Sequence, residues 1–164
     1  MLEIKLGRTK DLENCIRLYV ENYNSRINRN YEYGYEEQSI TYEQGVQKWN
    51  SYFNNNPFLV AYDNEQFLGF CTLADGPQQL YLEYICTASS IPRERIYAEF
   101  IFAAGRYALA SGYSTMSTSI NGKDEWFRDL VISLGARSDH VLGMMYTYYE
   151  KFVWDSLEWF LVEE

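Results

Sequence analysis

Tyr81-Leu82-Glu83-Tyr84-Ile85-Cys86-Thr87 begins the stretch, residues 80–136, on which the fold turns. Its alternating, aromatic-rich residues read as a strand over 79–87. Ser89 or Ser90 offers a helix cap, with Pro92 at an early helical position where its missing N–H costs nothing. Ile96, Phe100, Ala103, Ala104, Tyr107 and Ala108 then recur at helical spacing, and Gly112 follows as the residue past the helix end. A second strand pattern runs over 114–120, with Met116, Thr118 and Ile120 on one face. A second helix starts near Gly122-Lys123-Asp124, buries Trp126 or Phe127 with Leu130, Val131 and Leu134, and closes on Leu134-Gly135-Ala136.

Upstream, residues 58–62 and 67–73 flank Asp63-Asn64-Glu65-Gln66 and read as a β-hairpin with a four-residue connection. Residues 2–6 form a short opening strand, and Thr9 is placed to cap a helix. Leu12, Cys15, Ile16, Tyr19, Val20 and Tyr23 make its apolar stripe, while Asp11, Glu13, Arg17 and Glu21 face water. That helix should fade over 22–30, where Asn, Ser and Arg dominate. Residues 31–39 show neither period and read as a loop of the kind that lies over a site. Thr41-Tyr42-Glu43-Gln44 is a capping box, and Tyr42, Val46, Trp49 and Phe53 mark the buried side of the helix it opens. Downstream, 140–149 and 157–162 read as two strands separated by 150–155. The order β-α-α-β-β-β-α-β-α-β-β calls for one α/β (α+β) domain over 1–164. Its centre is a mixed, mostly antiparallel sheet of about seven strands flanked by about four helices.

The chain has 164 residues and is 47% hydrophobic, enough for one domain with a sizeable core. It has no uninterrupted apolar run of membrane-spanning length and no leader-like start, so a cytoplasmic location away from membranes is expected. Cys15, Cys71 and Cys86 are widely spaced and odd in number, which suggests neither a disulfide framework nor a metal site. The lone His140, beside Asp139, is assigned no role. A net charge of −9 disfavours nucleic acid and favours cationic partners, either an amine-bearing small molecule or a basic protein segment. The motifs of P-loop nucleotide binding, the serine nucleophile elbow and zinc proteases are all missing.

Taken together, the hairpin with Gly69 in its second strand, Leu82-Glu83-Tyr84-Ile85-Cys86-Thr87, Ala108 to Gly112 and Leu134-Gly135-Ala136 resemble the GNAT acyltransferase superfamily along nearly the whole chain. The resemblance implies acetyl-CoA as co-substrate. Its pantetheine arm would insert between two splayed parallel strands, here those of Ile85 and Ser117, and its pyrophosphate would rest on N–H groups at a helix N-terminus. It implies Ile85, Thr87, Arg93, Arg95, Ile96, Tyr97, Ala98 and Asn121 as coenzyme contacts. The family pattern at the phosphate cradle is Arg/Gln-x-x-Gly-x-Gly/Ala, and this chain departs from it. One frame places Pro92, Arg95 and Tyr97 at the three key positions. A one-residue slip places Arg93, Ile96 and Ala98 there, and implies that Ile96→Gly would tighten coenzyme binding.

Acyl transfer to an amine needs a base for the ammonium and benefits from an acid for the leaving thiolate. Glu83 matches the family's frequent base position. The usual acid, a Tyr four residues before the Gly of Leu-Gly-Phe, is Val131 here, and Tyr146 or Tyr148 is the expected substitute. Three functions remain open: an N-acetyltransferase for a primary amine, a partner-binding module of the same fold that has lost coenzyme binding, and a divergent nucleobase-modifying enzyme. The aromatic segment 154–160 could complete a sheet edge or contact a second subunit in a homodimer.

Overall fold

A computed structural model describes residues 1–30, 39–144 and 147–161. The expected site loop over 31–39 therefore lies almost wholly outside the described residues, as does Tyr146. Among the described residues seven strands form one sheet: β1 (Leu2–Leu6), β2 (Phe58–Asp63), β3 (Gln66–Asp75), β4 (Gln79–Thr87), β5 (Thr115–Asn121), β6 (Arg137–Met144) and β7 (Thr147–Trp154). Their order is β1-β2-β3-β4-β5-β7-β6. The β4–β5 pair is parallel and the other neighbours are antiparallel. The helices are α1 (Leu12–Asn30), α2 (Tyr42–Asn55), α3 (Arg93–Ala110) and α4 (Glu125–Ser133). This is the expected architecture.

Two apolar layers clamp the sheet. On one face, Ile96, Phe100, Ile101, Ala104 and Ala108 of α3 meet Leu80, Leu82, Ile85, Met116, Phe152 and Trp154. On the other, Cys15, Ile16 and Tyr19 of α1 and Phe53 of α2 meet Phe58, Val60, Phe70 and Cys86. The capping box of α2 forms as expected: Gln44 N–H donates to Thr41 Oγ1 (3.2 Å) and Thr41 N–H to Gln44 Oε1 (2.8 Å).

Several local expectations need correction. The hairpin connection is two residues, because Asp63 pairs with Gln66 and Asn64 takes a positive φ of 56° that Asn tolerates. Helix α1 continues through Asn30. Asp11 does not face water: it is 2% exposed and accepts from the Arg8 N–H (2.8 Å) and the Tyr62 hydroxyl (2.7 Å). A buried carboxylate is tolerable because both oxygens are bonded. The segment 150–155, expected to separate two strands, lies largely within β7. The expected last strand is instead a 3-10 turn over Glu158–Leu161, whose fully buried Phe160 docks on α3 beside Phe102. Gly105 makes room for that ring, since a Cβ there would lie 2.3 Å from it.

Candidate active site

Strands β4 and β5 pair only from Gln79↔Thr115 to Leu82↔Thr118. Beyond that point β4 stays with β3 and β5 stays with β7, so the sheet forks. A β-bulge in β4 sits at the branch. Thr72 pairs with Tyr84 and Leu73 with Leu82, which leaves Glu83 as the extra residue. The packing records the same insertion. Leu80, Leu82 and Ile85 all face α3, a step of two followed by a step of three, while Tyr84 and Cys86 pack toward α1 and α2.

The bulge decides which backbone groups enter the fork. Residues of an antiparallel strand alternate between bonding their neighbour and pointing away from it. Ala88 N–H donates to Leu68 O (2.8 Å), so Cys86 and Tyr84 share that side, and the N–H and C=O groups of Ile85 and Thr87 face the fork. Three side chains reach carbonyls on this edge. Thr118 Oγ1 donates to Leu82 O (2.9 Å), the Tyr97 hydroxyl lies 3.5 Å from Ile85 O, and Asn22 Nδ2 donates to Thr87 O (3.1 Å).

A cleft of about 460 Å³ occupies the fork. Of the sequence-derived candidates it gathers Glu83, Ile85, Thr87, Tyr97 and Asn121. Asn22 and Tyr149 also line it, and sequence reasoning assigned neither a role. Asn22 carried no signal beyond its place in a polar helix end. Tyr149 is one residue beyond the Tyr pair that was singled out, on the strand face that looks into the cleft. Glu83 is exposed at the bulge.

Helix α3 starts at Arg93, not at a Ser89 or Ser90 cap. Pro92 is the N-cap and supplies no side-chain acceptor. The first-turn N–H groups are therefore left without a side-chain cap, and the Arg93, Glu94 and Arg95 side chains are exposed around them. Arg93 lies over the Trp126 ring at 4.0 Å, and Trp126 and Phe127 pack edge-on against Tyr97 at 5.0 and 5.4 Å. Burial pushes the Tyr97 hydroxyl up to about 12, so it stays a proton donor throughout the neutral range. Asn121 accepts from Lys123 N–H (2.9 Å), forming the turn that leads to α4, where Asp124 serves as N-cap.

Three candidates fall elsewhere. The Ile96 side chain is wholly buried against the sheet and forms no wall of the cleft, because the slipped frame puts a core position where the cradle was sought. Ala98 is half-buried and also lies outside the cleft lining. Tyr148 projects from the opposite face to Tyr149, and its hydroxyl donates to Gly122 O (3.1 Å). A one-residue step along a strand reverses the side chain, which is why the neighbouring tyrosine lines the cleft instead. Val131, at the usual acid position, is fully buried. Among the described residues no His, Cys, Asp and Glu cluster could hold a metal ion, and no helix is long and apolar enough to cross a membrane.

No family model matches the sequence, and no curated protein matches it closely. Solved structures match its fold. An N-acetyltransferase from Staphylococcus aureus Mu50 is 17% identical, with 94% of this chain and 98% of that one covered and a TM-score of 0.69. A Bacillus subtilis acetyltransferase in complex with CoA is 13% identical, with coverages of 94% and 99% and a TM-score of 0.67. A mutant form of a spermidine N-acetyltransferase from Vibrio cholerae is 12% identical, with coverages of 98% and 96% and a TM-score of 0.71. The chain has the GNAT acyltransferase fold.

Proposed function

We propose that this protein is an acetyl-CoA-dependent N-acetyltransferase acting on a primary amine, borne by a small molecule or a basic protein segment. The observation that carries the proposal is the fork. A parallel pair opens beyond Leu82/Thr118 into a cleft, and the edge of β4 faces it at Ile85 and Thr87. The Ile85 and Thr87 N–H groups of that edge can donate to the carbonyls of an extended arm. The uncapped first turn of α3 supplies donors and a positive dipole end for phosphate, with Arg93 and Arg95 beside it. Solved acetyltransferases of the same fold, one with CoA bound, support the same reading.

Acetyl-CoA would supply an activated thioester carbon. Glu83, at the branch point in the bulge, would take a proton from the incoming ammonium, directly or through water, freeing the lone pair that attacks the thioester carbon as the C–S bond breaks and CoA leaves as its thiolate. Thr118 and Asn22 hold the cleft walls in place through Leu82 O and Thr87 O. The acidic chain favours a cationic acceptor, with a net charge of −9.

A second reading, a partner-binding module without coenzyme, rests on Tyr97 standing at a position where the family has Gly and on Val131 replacing the usual Tyr. Turnover separates the two. Acetyl-CoA is incubated with a panel of primary amines, spermidine among them because one protein of this fold is a spermidine N-acetyltransferase, and release of the CoA thiol is followed. Amine-dependent release supports the enzyme. No release with any amine, from protein that is folded and binds no acetyl-CoA, supports the module.

A further inference from the structure

The fork raises a question of backbone hydrogen bonding. Strands β4 and β5 are already paired and in register up to Leu82↔Thr118, and each further pair would satisfy backbone groups that otherwise face the cleft. Three side chains take the place of those pairs, one at each carbonyl that β4 turns toward the fork. Thr118 sits on Leu82 O at 2.9 Å, Tyr97 lies 3.5 Å from Ile85 O, and Asn22 sits on Thr87 O at 3.1 Å. They come from β5, from α3 on one face of the sheet and from α1 on the other. Asn22 is further fixed by the Cys86 sulfur, 3.2 Å from its Nδ2. Tyr97 is wedged by Trp126 and Phe127. With the carbonyls taken, the edge offers the cleft mainly its Ile85 and Thr87 N–H donors.

We infer that Asn22 and Tyr97 are positioning residues that hold the fork open in the free protein, standing in for the strand partner that β4 lacks beyond Leu82. This inference builds on the acetyltransferase reading, because an open fork is what would receive the coenzyme arm, but its decisive test needs no ligand. Amide hydrogen exchange is measured on the free full-length protein and on the Asn22→Leu, Tyr97→Ala and doubly substituted forms. Exchange at Ile85 and Thr87 is compared with that at Tyr84 and Cys86, whose amides face β3.

In the wild type, Ile85 and Thr87 exchange fast and their two neighbours slowly. In the double variant, Ile85 and Thr87 gain protection relative to those neighbours, by roughly tenfold or more, as the strands close. The neighbours serve as an internal reference, which removes any general loss of stability from the Tyr97→Ala cavity. Unchanged relative protection at Ile85 and Thr87 in the double variant overturns the inference. Acetyl-CoA titration of the same proteins addresses the underlying reading separately. If the exchange result holds and the wild type binds no acetyl-CoA, the props stand and the coenzyme assignment falls. If the wild type does bind, the double variant should bind about fivefold or more weakly, since reopening a closed fork breaks at least one backbone hydrogen bond, which changes an equilibrium by roughly that factor.

Discussion

Glu83 owes its position to an insertion. As the extra residue of the β4 bulge it has no cross-strand partner, so its carboxylate is displaced from the regular alternation and exposed at the branch of the fork. Glu83→Gln keeps the shape of the side chain and removes its charge and basicity. Its expected effect is a fall in kcat of about 100-fold or more, the usual scale for a general base, with the thermal midpoint unchanged. Steady-state rates with acetyl-CoA and an accepted amine check this, and a kcat within a few-fold of wild type would remove Glu83 from the mechanism. The bulge was not legible in the sequence, because the spacing of Leu80, Leu82 and Ile85 gains meaning only once one knows that all three face α3. Asn22 likewise offered no signal, because its role depends on α1 lying against an edge of β4 that is distant in sequence.

At the scale of elements, α3 shows where pattern reading succeeds and where it fails. The apolar spacing located the buried face correctly at Ile96, Phe100, Ala104 and Ala108. The slipped alignment puts Ile96 in a phosphate cradle, whereas its side chain is buried in that stripe. Ile96→Gly should not tighten coenzyme binding. It removes a fully buried side chain and puts Gly in a helix, at a combined cost of roughly 3–5 kcal/mol. A fall in the denaturation midpoint in urea checks that, and an unchanged midpoint would contradict it. The C-terminal turn gives a second case. Residues 157–162 read as a strand, but with Gly105 opposite, the Phe160 ring packs onto α3, and Arg106 Nε donates to its carbonyl at 3.0 Å. Gly105→Val would push a side chain into that ring. It should lower the thermal midpoint and raise proteolysis after Trp154, whereas wild-type resistance at that site would count against the docking.

For the whole molecule, the element order and hairpin pairing were readable because periodicity and turn chemistry are local, whereas the fork is a non-local property. Where β4 and β5 part is set by the bulge, by α1 and α3 pressing from the two faces, and by β7 holding β5 back. No single segment encodes it. The altered cradle sequence likewise left coenzyme binding open, and the uncapped start of α3 beside an accessible β4 edge is what favours it. Calorimetric titration of the protein with acetyl-CoA, and in parallel with free CoA, tests this most directly. Saturable one-site binding of both, with a rise in thermal midpoint, is the predicted result. No heat and no thermal stabilisation at millimolar ligand would contradict it.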